Sequence, residues 1–288
     1  MRTRTVLASA MLALAVSTPA WAQGKSQQHK KNPPPSRSDL TAPATAPTTT
    51  VGGATPFAWI DDASLLHPGS VSLAMSVVRW QGGGSSEVDV PVIDAAIGLA
   101  PRVHLTATVP HVNGSADPAG AVGGMGTSYF SAKIAVVNSA KRSVKLSVAP
   151  TLEVLGHGVE QSIAADGRRV HYGLPVSAEI GRGTTRLYGG SGYFSRGIWF
   201  AGGGVGARAS SKTYLSGSFS RSWRRADAFG VPLSDRARNE VTGSASYALT
   251  RNTSVFGSLA RTIATLDENG AGTTIAGGIS FFVAAPTK

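Results

Sequence analysis

Apolar and polar residues alternate along most of the chain, in segments of about ten residues separated by turn-forming residues. In one segment Val103, Leu105 and Val109 alternate with His104 and Thr106. Successive side chains on a β-strand point to opposite faces, so this alternation gives each strand one apolar and one polar face. A wall with lipid on one side and a polar lumen on the other is the arrangement of a transmembrane β-barrel.

The pattern predicts an all-β fold, a transmembrane antiparallel up-and-down β-barrel of about 12 strands. The strands are predicted at residues 71–80, 88–99, 102–112, 128–137, 144–155, 170–180, 186–194, 198–208, 213–223, 240–249, 253–263 and 274–283. Connectors after even-numbered strands are short, and most of those after odd-numbered strands are long. Bacterial outer-membrane barrels have short periplasmic turns and long external loops. Because connectors 81–87 and 195–197 are brief for external loops, ten or fourteen strands are the alternatives.

The N-terminal region has a different composition from the strands. Arg2 and Arg4, the apolar residues 6–16 and the small-x-small residues 20–22 predict a cleaved secretory signal peptide over residues 1–22. Residues 23–56 are rich in Lys, Gln, Pro, Thr and Ala, which predicts a disordered periplasmic tether. The tether's basic residues either contact an anionic envelope polymer or are simply solvated. The outer-membrane barrel is expected over residues 57–288.

Several charged and ionisable residues fall on the polar face of predicted strands. If Val103 and Leu105 face lipid, His104 faces the lumen, and the same argument applies to the others, because charge is disfavoured on the lipid face. They form either a polar track that selects a solute, or a structural network in which Lys133 pairs with Glu153 or Glu179. The predicted lumen residues are Asp94, His104, Lys133, Glu153, His171 and Glu179.

A second group of basic residues surrounds one long predicted loop. Guanidinium groups match phosphate geometry, so this cluster is a candidate contact with lipopolysaccharide; the alternative is a solvated loop that also carries Asp227 and Asp235. Basic residues are spread over both ends of the barrel, which argues against nucleic-acid binding. The external loop basic cluster comprises Arg221, Arg224, Arg225, Arg236 and Arg238. The sequence leaves the oligomeric state open.

Aromatic and glycine residues give two further expectations. Rings near strand ends suit girdles at the membrane interfaces, although strands favour large rings in any case. The glycines among 189–192 and 202–206 are expected to permit bending of a curved wall, with a neighbouring aromatic ring covering them. The candidate girdle residues are Trp80, Tyr129, Tyr193, Trp199, Trp223 and Phe282.

Short motifs give the chain a family resemblance. They are Asp94-x-x-Ile97-Gly98-Leu99-x-x-Arg102-x-x-Leu105, Val109-Pro110, Gly124-Met125-Gly126 and Ala132-Lys133, with later matches at 187–193 and 246–250. In these the chain resembles outer-membrane transporters associated with the meta-cleavage pathway of phenol degradation. The resemblance implies a barrel that passes small, often hydrophobic compounds. Ile97 replaces the tyrosine common in that family, and Thr127 replaces a common aspartate.

Enzyme and metal chemistry have little support in the sequence. No Gly-x-Ser-x-Gly elbow accompanies His104 and His111, and the chain has no His-x-x-x-His pair and no cysteine. Residues 267–270 form a weak candidate calcium loop or a plain exposed turn. The predicted function is passive passage of small solutes, including hydrophobic or aromatic ones, with no cofactor. The alternatives are a non-conducting structural barrel and an outer-membrane hydrolase.

Overall fold

The computed structural model describes residues 60, 62–82, 85–115, 123–139, 143–156, 168–195, 197–224, 237–263 and 272–285. The signal peptide and tether predicted over residues 1–56, the candidate calcium loop at 267–270 and two arginines of the predicted loop cluster lie outside the described residues. Within the described ranges, no helix is long and apolar enough to cross a membrane.

Twelve antiparallel strands form the wall. Their bounds are β1 Val71–Gly82, β2 Ser85–Ala100, β3 Val103–Ser115, β4 Gly124–Met125 with Ser128–Ser139, β5 Val144–Val148 with Thr151–Val154, β6 Val170–Gly173 with Val176–Arg182, β7 Thr185–Phe194, β8 Ile198–Arg208, β9 Thr213–Arg224, β10 Ala237–Ala248, β11 Thr253–Ile263 and β12 Thr273–Val283. β5 and β6 are interrupted at Pro150 and Pro175, since proline has no N–H to donate to the ladder.

Each strand pairs with its sequence neighbours, and the two ends of the sheet also meet. Val71 at the start of β1 lies opposite Ile97 on β2 and opposite Val283 on β12. The sheet is therefore a closed barrel with no free edge, which is the condition for a sheet to cross a bilayer. The predicted fold class and the predicted count of twelve strands are confirmed.

The connectors follow the predicted parity. Residues 101–102, 140–143, 183–184, 209–212 and 249–252 join even strands to the next odd strand and lie at one end, called here the short-turn end. The connectors at the opposite, long-loop end include 116–123, 155–169, 225–236 and 264–272. β1 and β2 extend into the brief predicted connector 81–87, leaving only residues 83–84 between them.

The two faces of the wall differ as the alternation predicts. Along β1 every second residue is buried, and the exposed residues Leu73, Met75 and Val77 are apolar. Ser72 and Ser76, on the same strand, are buried inside. The exterior is therefore an apolar band and the interior is polar.

The aromatic rings divide between the two faces. Trp199 and Trp223 are exposed on the outer face, as expected of an interfacial girdle. Three other candidate girdle rings are buried inside the barrel, so that expectation was wrong for them: their place in the two-residue alternation, rather than their nearness to a strand end, decides the side. These inward rings belong to Trp80, Tyr129 and Phe282.

Candidate functional site in the barrel lumen

A short segment before β1 lies inside the barrel, and we call residues 60 and 62–70 the lumen segment. Ile60 is 4% exposed and packs in a cluster with Tyr129 and Phe200. Leu66 is 2% exposed and packs with Phe282 on β12. Burial of apolar side chains at the start and in the middle of the segment holds it against the inner wall.

The segment approaches β2 closely at Gly98. The Gly98 N–H donates to the carbonyl of Ser70 at 2.9 Å, and the Gly69 N–H donates to the Gly98 carbonyl at 2.8 Å. A Cβ on Gly98 would lie 2.1 Å from the backbone oxygen of His67. Only glycine allows this approach, which gives a physical reason for the glycine of the Ile97-Gly98 motif.

Asp62 is the charged centre of the lumen segment. Its carboxylate accepts a hydrogen bond from the guanidinium of Arg186, and its Oδ1 accepts the Ser64 N–H at 2.8 Å. The Lys133 ammonium donates to the Asp62 backbone carbonyl and lies 4.0 Å from Oδ1. Arg186 also donates through Nε to the Tyr214 hydroxyl. Three strands, β4, β7 and β9, therefore contribute side chains around one buried carboxylate.

A second carboxylate extends this arrangement. Glu179 on β6 pairs with Lys145 on β5 at 3.1 Å and lies 3.8 Å from Arg186. The Ser64 hydroxyl donates to Glu179 at 2.8 Å and accepts from Lys145 at 2.7 Å. The resulting ion-pair network comprises the carboxylates of Asp62 and Glu179 and the cations of Lys133, Lys145 and Arg186.

The environment of Asp62 favours its charged form. Burial by itself raises the pKa of this carboxyl, but Arg186 and Lys133 outweigh the burial and hold the pKa below its usual value of 3.8. Asp62 is therefore ionised at neutral pH, and the buried cations keep a partner. The lumen segment is held in place by charge as well as by apolar packing.

His104 contributes a further contact to the segment. Its ring is fully buried inside the barrel, and its Nδ1 accepts the Leu66 N–H at 3.1 Å. A neutral imidazole that accepts at Nδ1 carries its proton on Nε2. Of the predicted lumen residues, His104, Lys133 and Glu179 thus all contact the lumen segment.

The other predicted lumen residues form a separate row across β2–β6. Asp94 accepts a hydrogen bond from the Thr108 hydroxyl at 2.6 Å. Glu153 accepts one from the Tyr129 hydroxyl at 3.1 Å and lies opposite His171 in the ladder. All six predicted residues lie on the lumen face; their role in a solute path stays a prediction.

Glycines on the lumen face of β8 make room for what packs there. A Cβ on Gly202 would lie 2.8 Å from the Ile60 side chain, and one on Gly206 would lie 1.7 Å from the Tyr214 hydroxyl. A Cβ on Gly204 would lie 2.6 Å from the ring of Tyr188. The expectation that aromatic rings cover these glycines is confirmed for Gly204 and Gly206, whereas Gly202 is covered by the aliphatic side chain of Ile60.

The opposite part of the wall has a different chemistry. The Ser216 and Ser244 hydroxyls are 2.6 Å apart, and those of Ser254 and Ser280 are 2.8 Å apart. We call the lumen face of β9–β12 and β1 the hydroxyl wall. Its buried hydroxyl side chains include Ser72, Ser76, Ser220, Ser222, Thr242, Ser246, Ser254, Thr262, Thr274 and Ser280.

The arginines predicted to form one external cluster do not share one surface. Arg221 is exposed on the outer face of β9, whereas Arg238 is 6% exposed on the lumen face of β10 and lies 3.5 Å from Glu240. The side chain of Arg224 and the whole of Arg225 and Arg236 lie outside what the structure describes. Two of the five therefore point to opposite sides of the wall.

The hydrolase alternative gains no geometric support from the two histidines considered for it. His104 points into the lumen and His111 is exposed on the outer face of the same strand, so they cannot serve one site. Within the described residues, no group of three His, Cys, Asp or Glu side chains is arranged to hold a metal ion.

Sequence reasoning missed the part of the site contributed by the lumen segment. Asp62 lies 124 residues from Arg186, and nothing local to either residue indicates the pairing. Arg186 is the first residue of the predicted strand 186–194, directly after a short connector, and that position gives no sign of a buried carboxylate partner. The available signal was the placement of two aspartates and two leucines before the first alternating strand, in a stretch without strand periodicity.

No family model matches the sequence, and no curated protein matches it either. An outer-membrane channel from Pseudomonas putida F1 superposes with a TM-score of 0.56 at 15% identity, covering 77% of this chain and 98% of that chain. The NanC porin gives 0.54 at 9% identity, covering 73% and 98%, and the KdgM porin gives 0.50 at 8% identity, covering 72% and 98%. These likenesses show that the chain has the fold of outer-membrane β-barrels.

Proposed function

We propose that the protein is an outer-membrane channel through which small solutes diffuse passively. The proposal depends on one observation, a closed twelve-stranded wall that is apolar outside and polar inside. In this proposal residues 1–22 direct export, residues 23–56 are a periplasmic tether, and the short-turn end faces the periplasm. Outer-membrane lipid, including lipopolysaccharide, surrounds the barrel, and no cofactor takes part.

The solute path is proposed to run beside the lumen segment. The contacts of that segment described above fall on β2–β8 and on the short-turn end of β12. In this proposal the solute passes along the hydroxyl wall, which the contacts of the lumen segment leave uncovered over most of its length. Hydroxyl groups donate and accept hydrogen bonds without carrying charge, which suits small neutral polar solutes.

The six predicted lumen residues take two roles in this proposal. His104, Lys133 and Glu179 contact the lumen segment and hold it beside the proposed solute path. Asp94, Glu153 and His171 line the lumen farther along β2–β6 and face the solute. Passage of hydrophobic or aromatic compounds, and a link to phenol degradation, stay predictions that depend on the family resemblance alone.

Planar-bilayer conductance of the purified protein tests the channel. Ser244 faces the lumen and Ala245, its neighbour on β10, faces outward, so Ser244→Trp narrows the path while Ala245→Trp places the same ring in lipid. We expect conductance to fall severalfold for Ser244→Trp and to stay at the wild-type level for Ala245→Trp. Liposome swelling with a neutral sugar and with phenol then compares the two solute classes.

The competing proposal is a closed structural barrel, and it is favoured by the buried ion pairs that hold the lumen segment inside. A wild-type protein that conducts no more than lipid alone would contradict the open channel. If Asp62→Asn then conducts, the segment is a closed gate; if it stays silent as well, the structural barrel is the better account.

A further inference from the structure

Outward-facing charges on the strands are few and of one sign. Among the described strand residues they are all arginines: Arg79 on β1, Arg221 on β9 and Arg261 on β11 near the long-loop end, and Arg182 on β6 at the short-turn end. Every acidic residue described on a strand lies on the lumen face instead. The first three are called here the arginine row.

The arginine row lies at one height on the barrel. Trp80 lies near the long-loop end of β1. When the residue opposite it is followed from strand to strand around the barrel, through β12 to β6, the eighth partner is Lys145, near the short-turn end of β5. Residues at equal height are therefore offset along the strands, by roughly one residue per strand, because the strands are tilted.

The three arginines have that offset. Arg261 lies opposite Thr273 on β12, and Thr273 lies opposite Gln81 on β1. Gln81 is two residues nearer the long-loop end than Arg79. In the same way, Arg221 pairs through Asn239 with Ile263, two residues beyond Arg261. The row therefore runs level across β1, β11 and β9, with a guanidinium on every second strand, about 10 Å from the next at a strand spacing of about 4.8 Å.

These guanidinium groups have no ion-pair partner among the residues that the structure describes. Arginine on a lipid-facing strand is costly at the bilayer centre and tolerated near the headgroups. Trp223 lies two residues beyond Arg221 on the same face and marks the interfacial level. The row is thus placed where headgroups meet the barrel, and its charge is complementary to anionic headgroups.

We propose that the arginine row binds phosphate groups of the outer-leaflet glycolipid. The planar guanidinium donates two parallel hydrogen bonds to a phosphate, and this charge-assisted pairing is stronger than a neutral hydrogen bond. Three level guanidiniums suit a lipid with more than one phosphate, or neighbouring lipids. The inference rests on the proposed function only in placing the long-loop end at the outer leaflet.

Native mass spectrometry of the detergent-purified protein, titrated with diphosphorylated lipid A, tests the row. The variant combines Arg79→Gln, Arg221→Gln and Arg261→Gln, and Arg182→Gln, an outward arginine at the opposite end, is the matched control. We expect apparent affinity to fall about tenfold or more in the triple variant and to stay unchanged in the control, since each lost contact is charge-assisted. Dephosphorylated lipid A should bind wild type and triple variant equally weakly.

Equal binding of diphosphorylated lipid A by the wild type and the triple variant would overturn the proposal. So would unchanged lipid binding together with a loss of dimers in light scattering, because the row would then be a contact between copies. Heat-modifiable gel migration checks that the triple variant folds. Conductance is expected to be unaffected by the triple variant, so failure of the channel proposal and failure of lipid binding are separate results.

Discussion

The two halves of the lumen wall achieve a polar interior by different means. On β4–β7 the wall carries buried Lys133, Glu179 and Arg186 and partly buried Lys145, and the lumen segment supplies Asp62 as the carboxylate that Lys133 and Arg186 share. On β9–β12 and β1 hydroxyls prevail and bond to one another, with the Arg238–Glu240 pair near the long-loop end the only ion pair among the described side chains there. The charged half on β4–β7 depends on the lumen segment, and the hydroxyl wall forms its hydrogen bonds without it.

The largest effect is expected from removing the charge of Asp62. Asp62→Asn leaves Arg186 and Lys133 buried without their shared carboxylate, and breaking one side of a buried ion pair costs about 3–5 kcal/mol. Glu179, 3.8 Å from Arg186, offsets part of this cost. We expect the lumen segment to leave its site, with a lower unfolding temperature and a severalfold rise in bilayer conductance.

Asp89→Asn is the matched control for that experiment. Asp89 is also a buried lumen carboxylate, but none of its described contacts involves the lumen segment. The substitution replaces a buried lumen carboxyl that does not touch the lumen segment, so it should leave the segment docked. If both variants changed conductance alike, the effect would come from the loss of any buried lumen carboxyl and not from release of the segment.

Acid should reproduce the Asp62 variant in the wild-type protein. Because the pKa of Asp62 is lowered in the folded state, its stabilising contribution is fully present above its unfolded pKa of about 3.9 and is lost as the pH falls through the lower folded value. The Asp62 contribution should therefore be constant from pH 8 to about pH 5, begin to fall near the unfolded pKa of about 4, and be lost once the pH is below the lower folded value. Conductance at pH 7, 5 and 3 measures this, and the response attributed to Asp62 should be missing in Asp62→Asn.

A smaller effect is expected from filling the space beside the ion-pair network. The variant Gly206→Ala places a Cβ where the Tyr214 ring lies, so the ring is displaced and loses its hydrogen bond from Arg186. A hydrogen bond with a charged donor is worth about 1.5–3 kcal/mol, and we expect the free energy of unfolding to fall by about that amount. Gly243→Ala on the outer face of β10 meets nothing within 4 Å and should be neutral or slightly stabilising. Urea unfolding in detergent compares the two, and equal midpoints would refute a role for the Tyr214 contact.

The sequence predicts the strands of the wall well and the lumen segment poorly. A two-residue alternation is local, so it places His104, Lys133 and Glu153 inside and gives the strand count without any knowledge of contacts. The same rule, applied to Trp80 and Tyr129, would have predicted inward rings, whereas position near a strand end suggested a girdle. Asp62 and Arg186 meet only because the barrel closes around the segment, and no local pattern encodes such a contact.

The smallest effect should come from the half of the wall that is complete by itself. Ser254→Ala removes one neutral hydrogen bond to Ser280, and such a bond contributes about 0.5–1.5 kcal/mol. Replacing both serines removes donor and acceptor together, so the double variant should cost no more than the single one. Urea midpoints of the three proteins test this. If Ser254→Ala lowered stability as much as Asp62→Asn does, the hydroxyl wall would be as dependent on single contacts as the charged half, and the two halves would not differ in kind.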